Sequence, residues 1–214
     1  VSEALHQVEE LRSQTAPCPN GSRIVLLKPM NLSSHIFFPV FADVVNKTVQ
    51  MANTISDLLL FTDKSPEFFL DLFFVMTQSL VESGTQVRGC AIATPKNATA
   101  SYRESLFPYA YRTQAGEVVV TDLSKVYRFN RTNWYSHHVN RSADGLLKAR
   151  DRIFTDKTDV GVLSPYLGKW SKVVSVAPED GFWAKPYYDC LLENWVIQYS
   201  VPFYQQKGSR PEFK

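Results

Sequence analysis

No run of apolar residues in this sequence is long enough to cross a bilayer. The nearest candidate, Phe68–Met76, falls well short of the roughly 20 residues a span needs and contains Asp71, so it reads as part of a buried helix. An excess of one charge is also missing: 23 Lys and Arg against 21 Asp and Glu leave a net charge of +2, with the two signs interspersed. That leaves no electrostatic footprint for nucleic acid and no basic helix suited to a membrane surface. Histidine is scarce, with four residues. His137 and His138 are adjacent, which on an extended chain points them apart, and no His-Glu-X-X-His spacing occurs, so no metal site is expected. A Gly-X-Ser-X-Gly elbow, a Walker loop and a dinucleotide fingerprint are all absent. With no nucleophile–base pair visible, the sequence reads as a non-enzyme without a cofactor. No secretory leader pattern stands at Val1, as expected of a mature or excised domain.

What is present builds a core. Of 214 residues, 44 % are apolar and 13 % aromatic, which excludes global disorder and supports one domain over residues 1–214. Six Asn-X-Ser/Thr sequons, at Asn20, Asn31, Asn46, Asn97, Asn130 and Asn140, exceed chance expectation and point to a secreted or extracellular glycoprotein. Three cysteines imply, in an oxidising compartment, one disulfide with one thiol left over, or an intermolecular bridge. Cys90 lies in the apolar stretch Val87–Thr94 and behaves as a small buried hydrophobe, whereas Cys18 and Cys190 lie in turn-like contexts. Pairing Cys18 with Cys190 closes a loop worth about 4–5 kcal/mol on the chain-entropy account.

The pattern along the chain changes once, from helices to strands. Val1–Gln14, a segment about His35–Phe61, and a segment from Pro66 to about Glu82 carry helical periodicity, the last opened by Ser65-Pro66-Glu67. The short run Ile24–Leu27 reads as a strand. From Val87 onward the pattern is antiparallel strands: Val87–Thr94, Leu106–Arg112 and Glu117–Leu123, the last two joined by a tight Thr113–Gly116 turn. Residues 140–182 are polar and poorly periodic and read as a long irregular excursion. Trp195–Tyr204 alternates strictly and reads as one long closing strand, with Pro202 marking an edge or a bulge. Lys207-Gly208-Ser209 then turns the chain back into a further strand that is cut short at Lys214. The fold class is therefore α+β, with residues 1–83 mainly helical and 87–214 mainly sheet.

The loop before Trp195 brings Tyr187, Asp189 and Cys190 together, and is the expected place for a small-molecule site. Arg88 begins a strand face continued by Cys90, Ile92 and Thr94, where a guanidinium requires a carboxylate. That carboxylate belongs either to a protein acid or to a ligand. Asp189 is either an ordinary turn aspartate or the acceptor for a ligand ammonium. Trp134 and Tyr135, after the basic Arg131, either wall such a cavity or fill the core.

The elements Asn-Arg-Thr-Asn-Trp-Tyr (130–135), Trp-Ala-Lys-Pro-Tyr-Tyr-Asp-Cys (183–190) and Trp-Val-Ile-Gln-Tyr-Ser-Val-Pro-Phe-Tyr (195–204), behind a long N-terminal helix, resemble an extracellular Cache domain. Within that PAS-like superfamily the sequence is similar to the ectodomains of the metabotropic glycine receptor family, orphan-type class C G-protein-coupled receptors. The resemblance implies a domain at the outer face of the plasma membrane, in a homodimeric receptor, that binds glycine or a similar small amino acid. By resemblance, Arg88 holds the ligand carboxylate, Tyr187 lines the pocket, and Asp189 stands where the family has a glutamate near the ammonium. Val87 replaces a family serine, which removes one hydroxyl contact, and Arg131 lies three residues before Trp134 where the general amino-acid pattern has two. The family disulfide falls at Cys18 and Cys190. The alternative is the same fold with a degenerate pocket, serving receptor dimerisation or binding to proteoglycan or matrix partners.

Overall fold

The computed structural model describes residues 24–25, 34–61, 66–96, 104–143, 150–152, 173–184, 187–189, 194–207 and 210–213. The expected helix at Val1–Gln14 and the expected Cys18–Cys190 pair lie outside them. The chain is α+β, with helices followed by short strands whose ladders are all antiparallel.

Helix α1 is Ser34–Phe61 and helix α2 is Pro66–Glu82. Along α1, Val45, Val49, Ala52, Ser56 and Leu59 recur every three or four residues and are all buried, which is the stripe that drives a helix onto a core. Along α2 the buried positions are Phe69, Phe73, Thr77 and Val81, while Asp71, Val75 and Glu82 face solvent. The aromatic run that opens α2 is thus core material where it is described: Phe69 and Phe73 pack at 6.1 Å between ring centres.

Three strands form the sheet on which α2 lies: β2 (Gly89–Ala91), β3 (Pro108–Arg112) and β4 (Val118–Asp122), in the order β2-β3-β4. Register sets Cys90 opposite Ala110 and Ala110 opposite Val120, so one pleat face meets Val81 and Val87. The β3–β4 turn closes as the sequence predicts. Gly116 takes φ +89°, a left-handed conformation that costs a side-chain-bearing residue about 1 kcal/mol, and donates to the Thr113 carbonyl at 3.0 Å.

Arg112 ties this hairpin to α2. Its guanidinium donates to the Val81 carbonyl in the last turn of the helix at 2.7 Å and to the Gly116 carbonyl at 3.1 Å. A cation on helix C-terminal carbonyls satisfies groups that have no partner within the helix. Arg112→Ala is expected to cost about 2 kcal/mol in urea unfolding, and Arg112→Lys, which reaches only one carbonyl at a time, about half of that.

The remaining strands are short: β1 (Ile24–Val25), β5 (Arg150–Arg152), β6 (Val173–Ser175), β7 (Phe182–Trp183), β8 (Tyr187–Asp189), β9 (Asn194–Val196), β10 (Tyr199–Ser200), β11 (Tyr204–Lys207) and β12 (Arg210–Phe213). They pair as β1-β8-β9, β5-β6, β7-β10 and β11-β12. The last is the hairpin expected around Lys207-Gly208-Ser209.

Two expectations are corrected here. Trp195–Tyr204 is not one strand. Its segments β9, β10 and β11 pair with three different partners, and Val201, Pro202 and Phe203 between the last two are irregular. Pro202 is fully buried and has no N–H to give a ladder, so pairing stops there. Alternation fails at the same place, because Phe203 and Tyr204 are both buried in one cluster. Residues 133–143 are also not extended: they form helix α3, Asn133–Ala143. The irregular excursion expected at 140–182 accordingly contains the end of α3, strands β5 and β6, a single 3₁₀ turn at Pro178–Asp180 and the start of β7.

Candidate functional site

Strand β8 presents Tyr187 and Asp189 two residues apart, hence on one face. Tyr187 is half-buried between its ladder partners Val25 and Val196, and Asp189, opposite Asn194, is only 4 % exposed. The reading of Asp189 as an exposed turn aspartate is overturned by that burial. Cys190 lies outside the described residues.

Arg88 sits just before β2, and its backbone carbonyl accepts the Arg112 N–H at 2.9 Å. Its side chain is exposed, although Cys90, Ile92 and Thr94 on the same side of the strand are buried. Exposure removes the requirement for an internal carboxylate, and among the described residues no acid pairs with it. Val87 is buried against Val81, Cys90 and Ala110, in the core between α2 and the sheet. Arg88 thus lies exposed just before β2 and Asp189 buried on β8 of another sheet, with no ion pair between them.

Trp134 lies in the first turn of α3 and is half-buried. It belongs to an aromatic row: Phe107 packs against Tyr127 at 4.7 Å and stacks on Phe129 at 5.5 Å, and Phe129 stacks on Trp134 at 6.5 Å. Tyr135 meets both Phe129 and Trp134 edge-on. The indole Nε1–H of Trp134 is buried and has no acceptor among the described residues. Trp134 thus packs as a core residue in the row, and its polar edge is left with a donor that has no acceptor among the described residues.

Sequence reasoning missed a polar cluster one turn further along α3. His138 is 2 % exposed, with Nε2 at hydrogen-bonding distance, 3.0 Å, from Ser200 Oγ. Burial first, then the nearby His137 and Arg141, pull its pKa down to about 4, so the ring is neutral at pH 7. Arg141 donates to the Asp180 backbone carbonyl at 3.2 Å and approaches its carboxylate at 3.9 Å. The other Asp180 oxygen accepts the Ala177 N–H at 2.8 Å. Tyr199 donates to the Pro178 carbonyl at 2.8 Å, and burial together with Asp180 raises its phenol pKa. The findable signal was the spacing of Trp134, His138 and Arg141, which is one helix face.

A serine hydroxyl on an imidazole is the first half of a nucleophile–base pair. Here the ring is shut off from solvent and titrates near 4, far below the range where a general base works well at neutral pH. Its arrangement suits a clamp. Cys90 is equally unsuited to attack: burial pushes its thiol up to about 12, leaving almost no thiolate at pH 7. Among the described residues no group of three or more metal-ligating side chains assembles, and no helix is long and apolar enough to cross a membrane. The sequon residues Asn46, Asn130 and Asn140 are all exposed; Asn20, Asn31 and Asn97 lie outside the described residues.

No family model and no curated protein matches this chain. Among solved structures it is similar to the extracellular domain of a protein described as a histidine kinase, at a TM-score of 0.43 and 16 % identity. The match covers 84 % of this chain and 59 % of that one, so the chain spans under two thirds of the neighbour's length.

Proposed function

We propose that this chain is an extracellular ligand-sensing domain of Cache type that binds a small amino acid, glycine or one close to it, and passes its state to the membrane region of a class C-like G-protein-coupled receptor. The observation that carries the reading is the buried indole N–H of Trp134, which has no acceptor among the described residues. Burying a donor without an acceptor costs about 1–3 kcal/mol, and a ligand carboxylate removes that cost. Asp189, buried beside Tyr187 on β8, is the acceptor for the ammonium. Arg88, exposed and unpaired among the described residues, is available to a carboxylate arriving from solvent. The chain acts without catalysis or cofactor, glycosylated at its exposed sequons, in a homodimeric receptor at the cell surface.

Calorimetric titration with glycine and a small amino-acid panel tests this. Glycine has about five non-hydrogen atoms, so the ceiling of about 1.5 kcal/mol per atom allows binding no tighter than micromolar. Trp134→Phe keeps the ring and removes the donor, and is expected to weaken binding about tenfold; Arg88→Ala is expected to abolish it. No heat from any amino acid, with a folded chain, overturns the reading. The exposure of Arg88 and its separation from Asp189 favour a second reading for that outcome: the same fold with a degenerate pocket, engaged in receptor dimerisation or with a proteoglycan or matrix partner.

A further inference from the structure

The face of α3 that carries Trp134 continues, at i+4 and i+7, with His138 and Arg141, and each of these two grips an element beyond the helix. On the β7–β10 ladder Phe182 and Ser200 are directly opposed. His137 stacks on Phe182, with ring centres 4.3 Å apart and planes 26° apart, and His138 meets Ser200 at 3.0 Å. Two successive histidines thus hold one cross-strand pair. Arg141 fixes the last turn of α3 to Asp180 in the Pro178–Asp180 turn.

Among the described residues the groups that act on His138 are His137 and Arg141 from α3 and Ser200 from β10; Asp180 and Glu179 of the 3₁₀ turn act on Tyr199, and Asp180 and Arg141 on Tyr204. Of the acids, Asp180 already has one oxygen against Arg141 and the other on the Ala177 N–H. The Ser200 hydrogen bond itself survives protonation. Ser200 Oγ can accept from the imidazolium and turn its own proton to the Phe182 carbonyl, 3.4 Å away. The cost is therefore the charge, buried at 2 % exposure beside a guanidinium, and not a lost hydrogen bond.

We propose that His138 is a proton-operated latch: taking up a proton there drives α3 off the β7–β10 ladder while the β2-β3-β4 sheet stays folded, and so disturbs the position of Trp134. The coupling to ligand rests on the reading of Trp134 as a ligand donor; the latch itself does not. Opening lets the ring return to its ordinary pKa of about 6.5, so the open fraction rises about tenfold for each pH unit below that value, down to the pKa of the closed form.

Amide hydrogen exchange on the chain from about pH 7.5 to about pH 4.5, expressed as protection factors so that the intrinsic pH dependence of exchange drops out, reads this directly. Protection across α3 is expected to fall about tenfold per unit below about pH 6.5, with that of β3 and β4 unchanged. In His138→Gln, which keeps a polar group near the Nε2 position and does not titrate, α3 protection is expected to stay level. Protection in α3 that is flat in the wild-type chain, that falls equally in the glutamine variant, or that is lost together with β3 and β4 overturns the latch. Should the variant fail to fold, the comparison of α3 with β3 and β4 in the wild-type chain decides alone. Glycine titration at about pH 7.5 and about pH 5.5 then reads the coupling, with weaker binding at the lower pH expected. Absence of glycine binding at both overturns the ligand reading, and the exchange data still settle the latch.

Discussion

Asn53→Ala is expected to lower stability by about 2–5 kcal/mol, the largest loss from any single truncation considered for this chain. Asn53 is 8 % exposed on α1, and its amide binds both backbone groups of Val176: Nδ2 donates to the carbonyl at 3.0 Å, and Oδ1 accepts the N–H at 2.8 Å. The side chain mimics the edge of a strand and docks the segment after β6 onto the helix. Val176 is itself buried, so removing the amide strands one donor and one acceptor away from water, each at about 1–3 kcal/mol. Asn53→Asp separates the two halves of the effect. An ionised carboxylate still accepts from the N–H but sets an oxygen against the Val176 carbonyl, and only its protonated form restores both bonds. Urea unfolding should therefore show the alanine variant weakened at every pH and the aspartate variant partly recovering as the medium is acidified.

Asn53 also shows which parts of this molecule its sequence discloses. The aliphatic stripe on α1, the entry to α2 at Pro66 and the β3–β4 turn at Gly116 were legible because each depends on local chemistry: apolar spacing, a fixed φ, freedom at positive φ. The hydrogen bonds of Asn53 and the Ser56 hydroxyl that accepts the Tyr204 N–H at 3.1 Å join residues more than 120 positions apart, and no local pattern encodes them. Helix α3 was missed for a different reason. Its buried face is Trp134, His138 and Arg141, a stripe with helical spacing but little hydrophobicity, so a search for apolar periodicity passes over it. Trp195–Tyr204 misled in the opposite sense, since alternation survives in a segment whose pieces pair with different strands, and only Pro202 hinted at the break. At the candidate site, burial of Asp189 could not be read from a turn-like sequence, and neither could the exposure of Arg88 at the end of a buried strand face. Trp134 reads in the sequence as a wall or a core residue; its packing on Phe129 and Tyr135 supports the core role, and its buried N–H could not be read from the sequence.

Acidification from about pH 6.5 to about pH 4 is expected to remove about 3 kcal/mol of stability through His138 alone. The folded ring titrates near 4 and the unfolded one near 6.5, so the folded chain binds fewer protons across that window. A depressed folded pKa contributes stability that is fully present above the unfolded value and is lost as pH falls through the folded one. His137 is shifted in the same direction, by burial and by Arg141, and adds to the slope. At the alkaline end the sign reverses. The Cys90 thiol and the Tyr199 and Tyr204 phenols are raised by burial, so their contributions are present at neutral pH and lost as pH rises past their unfolded values, beginning with the thiol near 9. Stability should thus be flat between about pH 6.5 and about pH 9 and fall on both sides. Urea unfolding of the wild-type chain and His138→Gln at several pH values isolates the histidine, because carboxylates lost in acid are common to both. The gap between the two should close by about 3 kcal/mol towards pH 4, and a constant gap would mean that His138 is not protonated on unfolding. That total is fixed by the end states, whichever segment opens first. Where the loss begins is set by local geometry: His137 stacks on Phe182 and His138 meets Ser200, which are opposed on the β7–β10 ladder. On the proposed latch a charged His138 is hydrated by lifting α3 from that pair, an opening that leaves the Cys90–Ala110–Val120 sheet and its Arg112 tie to α2 in place.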